Sequence, residues 1–483
     1  MTTLYWHDYE TFGLNPARAR LSQFAGIRTD LDLNIIGDPL VQYCKLANDS
    51  LPHPGACLVT GITPQIANEK GVCEAEFAAT VRSNFAQPDT CTVGYNSVEF
   101  DDEFTRHMLY RNLYDPYAHH SPKMGNSRWD LINVVRLVRA LRPDGIVWPT
   151  KPDGSPTTRL DKLTEANGIE HNAHDALGDV TATIELAKLI KSVRPKLYDY
   201  AFDNRSKKEV LKLLGFSGSW FTPTPVIHIS SVYGAKNNYL GIIFAIAKHP
   251  AKRNSVIAVN LREDITPLLE CKSVSEIRDL MFTKKEDRPE NAPKIPLYEI
   301  NVTRCPVLCS IGGLRHKDCS RLELNIEKCF SRMLEIINTH DLKYVAPQVY
   351  RKLFKAATDP DLMLYGGDFI EYQDKNLMKG IHAVDPTEID KEYPFDDPRL
   401  NEMVFRYRAR NYPETLEADE LARWKKFKIQ RLRNLDQGNT FSLTDFFKDL
   451  TERLSSKDLP ERDKKILYEL DRYGKTLIEQ LME

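Results

Sequence analysis

The chain has 483 residues, of which 42% are hydrophobic and 28% charged, and its formal net charge is -2 at pH 7. This length predicts two or three domains rather than one core, and the composition excludes wholesale disorder. The longest strongly apolar run, near residues 239–247, is too short to cross a bilayer, and the N-terminal MTTLYWHDYETFG lacks the regions of a signal peptide. We therefore expect a cytoplasmic protein without a membrane partner.

The first predicted domain, residues 1–195, alternates between strand-like and helix-like segments. Strands are predicted at 4–10, 23–29 and 40–45, with a turn at 37–39, and their short links indicate an antiparallel meander. Further along, the pattern predicts a helix that begins at Thr63-Pro64, a strand at 91–96, and helices at 100–112, 128–141, 160–167 and 176–191. A meander followed by βα units predicts a mixed α/β sheet.

The remainder of the chain divides into two further predicted domains. Residues 196–350 form a small β-rich domain, with strands predicted at 225–229, 239–247, 255–261 and 296–302. Residues 351–483 are mostly helical. Near the C-terminus, apolar and aromatic residues recur at helical spacing and predict a core-facing stripe of Ile466, Leu470, Tyr473, Leu477 and Leu481.

Three acidic residues in the first domain could hold metal ions. Asp8 and Glu10 lie two residues apart on a predicted strand and therefore point to the same face. Asp101 lies where a strand leads into a helix and could join them across the sheet, although an acid there also suits the helix dipole. Hard cations such as Mg²⁺ prefer carboxylate oxygens, and two such ions hydrolyse phosphodiesters. The order of these motifs predicts a two-metal phosphodiesterase.

A histidine and an aspartate complete the pattern further along the chain. Five helical residues span about 500°, so His174 and Asp179 could not share a face if both were helical. We therefore expect His174 in a loop, Asp175 as the N-cap, and Asp179 one turn into the helix as a metal ligand. His174 could then take a proton from the attacking water, or it could be an ordinary surface or core histidine. No acidic residue lies five positions after His171, so we assign His171 no role.

The combined motifs resemble those of the DEDDh 3′→5′ exonucleases, which have an RNase H-like fold. The three motifs are Asp8-x-Glu10, Asn96-x3-Phe100-Asp101 and His174-x4-Asp179. Six longer strings are similar to bacterial exonuclease I, the single-strand DNA exonuclease: HDYETFG (7–13), GYNSVEFDDE (94–103), NSRWDL (126–131), ANGIEHNAHDALGDV (166–180), HPAKRNSVIAVNL (249–261) and FRYRARNYPETL (405–416). This resemblance spans essentially the whole chain. It implies an SH3-like domain at residues 196–350 and a helical C-terminal domain at 351–483.

The resemblance also implies an activity and a set of site residues. The activity is a 3′→5′ exodeoxyribonuclease that degrades single-stranded DNA processively to 5′-mononucleotides in DNA repair and recombination. The implied ligands of two Mg²⁺ ions, for which Mn²⁺ substitutes, are Asp8, Glu10, Asp101 and Asp179, with His174 as general base. The implied DNA contacts are Arg159 and, at or near the DNA groove, Arg106, Tyr117, Trp129, Arg136 and Arg142. Tyr117 and Trp129 could equally be core residues, and Arg159 a solvated charge.

The resemblance also implies a protein partner, and two alternative functions remain open. Members of the resembled family bind the acidic, hydrophobic C-terminal tail of bacterial single-stranded DNA-binding protein, and Arg315 occupies the position of the key arginine. The chain departs from the family at 119–125 and 316–318, and it lacks a basic residue expected near Thr224. The alternatives are an exoribonuclease with the same chemistry and a non-catalytic single-strand-binding scaffold. The scaffold predicts loss of a carboxylate or the histidine, whereas all five residues are present. We expect a monomer.

Overall fold

A computed structural model describes residues 2–216, 222–271, 273–339, 341–351, 357–433 and 442–482. The chain forms two compact units. The first unit combines Met1–Ser127, His171–Ile184 and Lys355–Glu483, and the second combines Arg128–Glu170 and Glu185–Phe354. Within the described residues, no helix is both long and apolar enough to cross a membrane.

Helices and strands alternate in the N-terminal part of the chain. After residue 310 the described elements are mostly helices. The elements up to residue 213 are β1 (Thr3–Thr11), β2 (Leu21–Thr29), β3 (Ile35–Tyr43), α1 (Pro54–Thr60), α2 (Pro64–Lys70), α3 (Glu74–Phe85), β4 (Thr90–Gly94), α4 (Asp101–Arg111), β5 (Ser127–Asp130), α5 (Leu131–Leu141), α6 (Leu160–Ala166), α7 (Ala176–Val193), α8 (Pro195–Asp203) and α9 (Lys207–Leu213). The elements that follow are β6 (Val226–Ile229), β7 (Leu240–Lys248), β8 (Ser255–Asn260), α10 (Thr266–Glu270), α11 (Val274–Phe282), β9 (Leu297–Asn301), β10 (Val307–Ser310), α12 (His316–Arg321), α13 (Ile326–Asn338), α14 (Leu342–Val349), α15 (Tyr372–Ile381), α16 (Leu400–Asn411), α17 (Ala418–Arg433), α18 (Leu443–Leu454) and α19 (Glu461–Met482).

Strand β1 lies inside the mixed sheet of the first unit, where the strands have the order β3-β2-β1-β4. It pairs antiparallel with β2 and parallel with β4, and the parallel register ends where Trp6 pairs with Val93. Asp8 and Glu10 therefore lie beyond the last residue pair with β4, on the part of β1 that pairs with β2 alone among these strands. Because parallel strands end at the same sheet edge, the helix that follows β4 begins beside these carboxylates.

The predicted meander of three strands is confirmed, but the predicted turn at 37–39 is wrong. Strand β3 runs through those residues, and the chain reverses earlier, where the Asp30 carboxylate accepts the N–H groups of Asp32 and Asn34 at 2.8 and 2.9 Å. Gly37 has φ +74, and the β2–β3 register shifts between Gly26 and Arg28. Because β3 lies at the sheet edge, the missing N–H of its proline is tolerated.

The predicted helix at 128–141 begins later than expected. Its first residues form strand β5, and α5 starts at Leu131, where the Asp130 side chain accepts the N–H of Ile132 at 3.1 Å as the N-cap. The sequence pattern also missed strand β10. The predicted helices at 100–112, 160–167 and 176–191 are confirmed as α4, α6 and α7 within one or two residues.

The C-terminal helices α18 and α19 belong to the same core as the start of the chain. The predicted stripe is confirmed: Ile466, Leu470, Leu477 and Leu481 are buried in one cluster with Phe12 and Leu46, and Tyr473 packs against it. A separate aromatic core lies around the sheet and contains Tyr5, Tyr9, Phe24, Phe77 and Phe104.

A buried network of ion pairs joins the two ends of the chain within the first unit. Asp49 lies 2.9 Å from Arg410 and 3.4 Å from Arg431, and Asp361 contacts the same two arginines. All four side chains are at most 2% exposed. Burial alone would raise the pKa of Asp49, but the surrounding arginines hold that pKa below its usual range.

The second unit contains a five-stranded antiparallel sheet in the order β10-β6-β7-β8-β9. The strands predicted at 225–229, 239–247, 255–261 and 296–302 are thereby confirmed as β6 to β9. Alternate residues of these strands, among them Val226, Ile243, Ala258 and Ile300, form its hydrophobic core.

Candidate active site

Three carboxylates from two elements meet at the sheet edge of the first unit. Asp8 and Glu10 come from β1, and Asp179 comes from the first turns of α7. One oxygen of each lies within 4.8 Å of those of the other two. The predicted same-face arrangement of Asp8 and Glu10 is therefore confirmed, and the fold brings Asp179 to them.

Burial and mutual repulsion perturb these carboxylates. Burial raises the pKa of Asp8 well above its usual range, and the negative charges of Asp101, Asp179 and Glu10 raise it further. Burial, followed by Asp179 and Asp175, raises the pKa of Glu10 to about 8. Asp101, the first residue of α4, is only 4% exposed and adds to this field from outside the 4.8 Å group. Such a concentration of negative charge favours a bound cation.

The chemistry of the donors tests which cation the site fits. All the donors in the three-residue group are carboxylate oxygens, with a fourth carboxylate nearby. Hard divalent cations such as Mg²⁺ and Mn²⁺ bind such oxygens, whereas softer ions prefer nitrogen and sulfur ligands. The residues present therefore fit a hard divalent metal ion.

His174 lies in the loop that precedes α7, as its spacing predicted. Its backbone has φ +66, and its N–H donates to Oδ2 of Asp179 at 3.1 Å. Asp175 accepts the N–H of Gly178 at 3.2 Å, as expected of an N-cap. The exposed His174 side chain thus starts from a backbone that is hydrogen-bonded directly to the Asp179 carboxylate.

His171 also contacts the carboxylate cluster, although the sequence pattern gave it no role. Its Nε2 lies 2.7 Å from Oδ1 of Asp179, and its side chain is only 5% exposed. Helical periodicity could not reveal this contact because His171 precedes the helix. The available signal was a second histidine in the same family-like string, ANGIEHNAHDALGDV.

A cavity of ≈ 270 Å³ lies beside the His174 loop in the first unit. Its lining combines residues 172–175 of the loop with residues of other segments, including Gln23, Tyr43, Thr60 and Arg462. The loop that carries His174 therefore both lines this cavity and contacts the Asp179 carboxylate.

Two predicted DNA contacts lie together in the first unit. The guanidinium carbon of Arg106 is 5.6 Å from the ring centroid of Tyr117, and its Nη1 donates to Glu103 at 2.9 Å. The Tyr117 residue is 38% exposed, whereas the Arg106 side chain is 11% exposed. Tyr117 therefore offers surface for stacking, and Arg106 mainly supports its ring.

Two other predicted DNA contacts are buried in the second unit, and we correct them. Trp129 is 1% exposed, and its ring packs edge-on against Tyr198 and Phe202 with centroids 5.1 Å apart. It therefore has no open face on which a base could stack. Arg136 is 9% exposed, and its guanidinium carbon lies 5.2 Å from the ring centroid of Tyr239. Both residues support the core of their unit rather than a nucleic-acid surface.

The remaining predicted arginines lie on the surface of the second unit. Arg159 has a side chain that is 66% exposed and donates twice to Asp161 at 3.0 Å. Arg142 and Arg315 both bind the buried carboxylate of Asp318, at 2.9 and 2.8 Å. Arg142 and Arg315 thus share one carboxylate, whereas Arg159 pairs with Asp161.

Comparison with known proteins identifies the family. Three family models match the chain: Exonuclease over residues 5–187, Exonuclease I SH3-like domain over 205–352, and Exonuclease I C-terminal domain over 358–477. Exodeoxyribonuclease I of Escherichia coli K12 is 44% identical over 89% of this chain and 90% of its own length.

Solved structures agree over nearly the full length. An exonuclease I structure from Methylocaldum szegediense has a TM-score of 0.93 and 42% identity, and the zinc-bound E. coli ExoI–ssDNA complex has a TM-score of 0.91 and 39% identity. Both alignments cover 99% of this chain and 100% of the other. The mixed α/β exonuclease domain with an SH3-like and a helical C-terminal domain is therefore confirmed, and the chain belongs to the bacterial exonuclease I family.

Proposed function

We propose that this chain degrades single-stranded DNA from its 3′ end and releases 5′-mononucleotides by metal-dependent hydrolysis. The observation that carries the proposal is the group of three carboxylates, Asp8, Glu10 and Asp179, within 4.8 Å at the edge of an exonuclease fold. The E. coli relative is named exodeoxyribonuclease I, and its zinc-bound form was solved with single-stranded DNA. The same substrate suits this chain.

Asp8, Glu10, Asp179 and Asp101 hold two Mg²⁺ ions in this proposal, and Mn²⁺ substitutes for them. The support is an all-oxygen donor set whose pKa values are raised first by burial and then by the neighbouring negative charges. Two divalent ions, when bound by these residues, would supply an activated water and stabilise the leaving 3′ oxygen. The protein contributes the fixed positions of the carboxylates, which the β1 register and the start of α7 determine.

His174 acts as the general base. Its main chain is anchored to Asp179 through the N–H, while its imidazole is exposed at the loop surface. In this role the ring would take a proton from the attacking water at the terminal phosphodiester and pass that proton to solvent.

DNA contacts in this proposal come from exposed side chains on both units. Tyr117, with Arg106 against its ring, provides an aromatic surface for a base, and Arg159 provides a phosphate contact. Stacking on an aromatic ring is worth about 1–3 kcal/mol per base and accepts any sequence. The SH3-like and helical domains, residues 196–350 and 351–483, retain the strand between successive cleavages and make digestion processive.

A second candidate surface suits the acidic C-terminal tail of bacterial single-stranded DNA-binding protein. Arg142, Arg315 and Arg321 all lie within 4.0 Å of the single carboxylate of Asp318, which leaves a net positive cluster. Arg315 remains 40% exposed, and a guanidinium can bind a terminal carboxylate through two hydrogen bonds. Asp318 already pairs with Arg315, so a tail peptide must compete with this carboxylate.

We further propose that the protein acts as a monomer in the cytoplasm.

Digestion of defined substrates tests the proposed activity. Purified protein is incubated with 5′-labelled single-stranded DNA, the matching duplex, and RNA of the same sequence, with and without Mg²⁺. We expect rapid shortening of the DNA single strand, release of 5′-mononucleotides, and no reaction in EDTA. Preferential digestion of RNA would instead identify an exoribonuclease. Tight binding without any product in Mg²⁺ or Mn²⁺ would identify a single-strand-binding scaffold.

A further inference from the structure

Both oxygens of the Asp179 carboxylate accept hydrogen bonds from the loop at residues 171–175. The imidazole Nε2 of His171 lies 2.7 Å from Oδ1, and the backbone N–H of His174 donates to Oδ2 at 3.1 Å. The two contacts differ in kind, because His171 uses its side chain whereas His174 uses its main chain. Substitution can therefore remove the first contact and leave the second.

Close backbone packing fixes the loop against the start of α7. A Cβ added at Gly178 would lie 2.3 Å from the carbonyl oxygen of Asn172, so the glycine permits an approach that other residues would block. The N–H of Ala176 also donates to Oε1 of Gln23 at 3.4 Å, which connects the loop to strand β2. These contacts hold the loop that carries His171 against the start of α7 and strand β2.

The environments of the two histidines separate their roles. The His171 side chain is 5% exposed, and its Nε2 already contacts Asp179, whereas His174 is exposed. A general base must reach the attacking water, and the buried ring is poorly placed for that task. A buried group that donates a hydrogen bond to a metal-binding carboxylate instead fixes the direction of the carboxylate's lone pairs.

We propose that His171 is a positioning residue, whose Nε2–H holds the Asp179 carboxylate in the orientation that binds the catalytic metal ion. The inference rests on the proposed role of Asp179 as a metal ligand. A carboxylate oxygen has two lone pairs, so Oδ1 can accept this hydrogen bond and still face a cation. Groups that hydrogen-bond to metal ligands are worth roughly 10- to 100-fold in metal affinity or activity.

Metal affinity, measured without DNA, tests the inference directly. Mn²⁺ binding is followed by calorimetry for the full-length wild type and for His171→Leu, His171→Gln, His171→Asn and His174→Ala. The glutamine amide nitrogen falls near the position of Nε2, whereas the asparagine nitrogen falls near Nδ1. We expect His171→Leu and His171→Asn to weaken Mn²⁺ binding roughly 10-fold or more. His171→Gln should remain close to the wild type, and so should His174→Ala, which keeps its backbone N–H.

The kinetics should show the same separation. At low Mn²⁺ His171→Leu should digest DNA slowly, and saturating Mn²⁺ should restore most of its kcat, whereas His174→Ala should stay slow at every Mn²⁺ concentration. Wild-type Mn²⁺ affinity in His171→Leu would overturn the proposal, and tighter binding would mean that His171 blocks the metal ion. If the leucine variant does not fold, equal affinities for the glutamine and asparagine variants overturn it.

The outcomes also separate this inference from the proposed nuclease activity. If Mn²⁺ binding depends on His171 but the wild type has no nuclease activity, the inference holds and the proposed activity is rejected. If the wild type is a nuclease but its Mn²⁺ binding does not depend on His171, the activity holds and the inference is rejected. Absence of Mn²⁺ binding in the wild type would reject both.

Discussion

The carboxylates of Asp8 and Asp179 offer oxygens within 4.8 Å of each other, although one lies on the inner strand β1 and the other in helix α7. Two negative charges at this separation in a partly buried site repel each other, and this repulsion contributes to the raised pKa of Asp8, after burial and Asp101. The fold thus retains an arrangement that is unfavourable without a cation. That relationship leads to the first two predictions.

Removal of either charge should abolish cleavage without preventing DNA binding. We expect Asp8→Asn and Asp179→Asn to lose detectable single-turnover digestion, because a neutral amide binds Mg²⁺ more weakly than a carboxylate does. Single-strand affinity, measured by anisotropy in Ca²⁺, should remain largely intact because exposed basic and aromatic groups supply it. Asp38→Asn, an exposed acid of the same unit, is the control. Normal turnover in either site variant would remove that residue from the metal site.

The stability of the metal-free protein should depend on pH through Glu10. Its pKa is raised to about 8 by burial, Asp179 and Asp175, so the folded protein holds this proton more tightly than the unfolded chain does. Stability from this group is present below the unfolded pKa of about 4.3 and is lost as the pH rises through about 8. In EDTA, the Tm of the wild type should therefore fall more steeply between pH 5 and 8 than that of Glu10→Gln. Identical slopes would argue against the raised pKa.

Loss of the His174 imidazole should slow digestion without stopping it. A general base contributes typically 10²- to 10⁴-fold, so His174→Ala should retain a weak but measurable rate in saturating Mg²⁺. Substitution of the exposed His316 in the second unit is the control and should leave the rate unchanged. Full activity of His174→Ala in single-turnover digestion would exclude this histidine as the base.

Breaking the buried ion network should destabilise the first unit. Arg410→Met removes one of the two arginines that Asp49 and Asp361 share, and loss of one partner of a buried ion pair costs about 3–5 kcal/mol. Lys464→Met, which removes a surface pair with Glu461, should cost no more than about 1 kcal/mol. Urea unfolding followed by circular dichroism compares the two midpoints. Equal midpoints would show that the network contributes little to stability.

The arginine cluster of the second unit should bind an acidic tail peptide. We expect micromolar affinity, on the order of -8 kcal/mol, and a severalfold or greater loss in Arg315→Ala. Asp318→Asn should bind more tightly because it releases Arg315 from its bidentate pair. Arg253→Ala, an exposed arginine of the same unit, is the control. Digestion of naked DNA should be unchanged in Arg315→Ala, and peptide affinity equal to the wild type by calorimetry would reject the assignment.

Local patterns identified the elements whose signals are contained in a short stretch of chain. The position of His174 before α7 followed from helical geometry alone, and the Asp8–Glu10 pair followed from the period of a strand. The turn predicted at 37–39 failed because turn residues there are tolerated at a sheet edge, which only the strand order reveals. Strand β10 was missed because its pairing with β6 joins Val307 to Ile229, which lie far apart in the sequence.

What the sequence by itself determined is the chemistry: the carboxylates, the histidine and their order along the chain follow from residue identity and local periodicity. The tertiary structure alone decided which side chains share a site. Trp129 has an aromatic side chain of the kind on which bases stack, yet its ring packs against Tyr198 and Phe202. His171 has no helical relationship to Asp179, yet their side chains meet at 2.7 Å. Burial and contact between residues outside a regular element depend on how the chain packs, which no local period encodes.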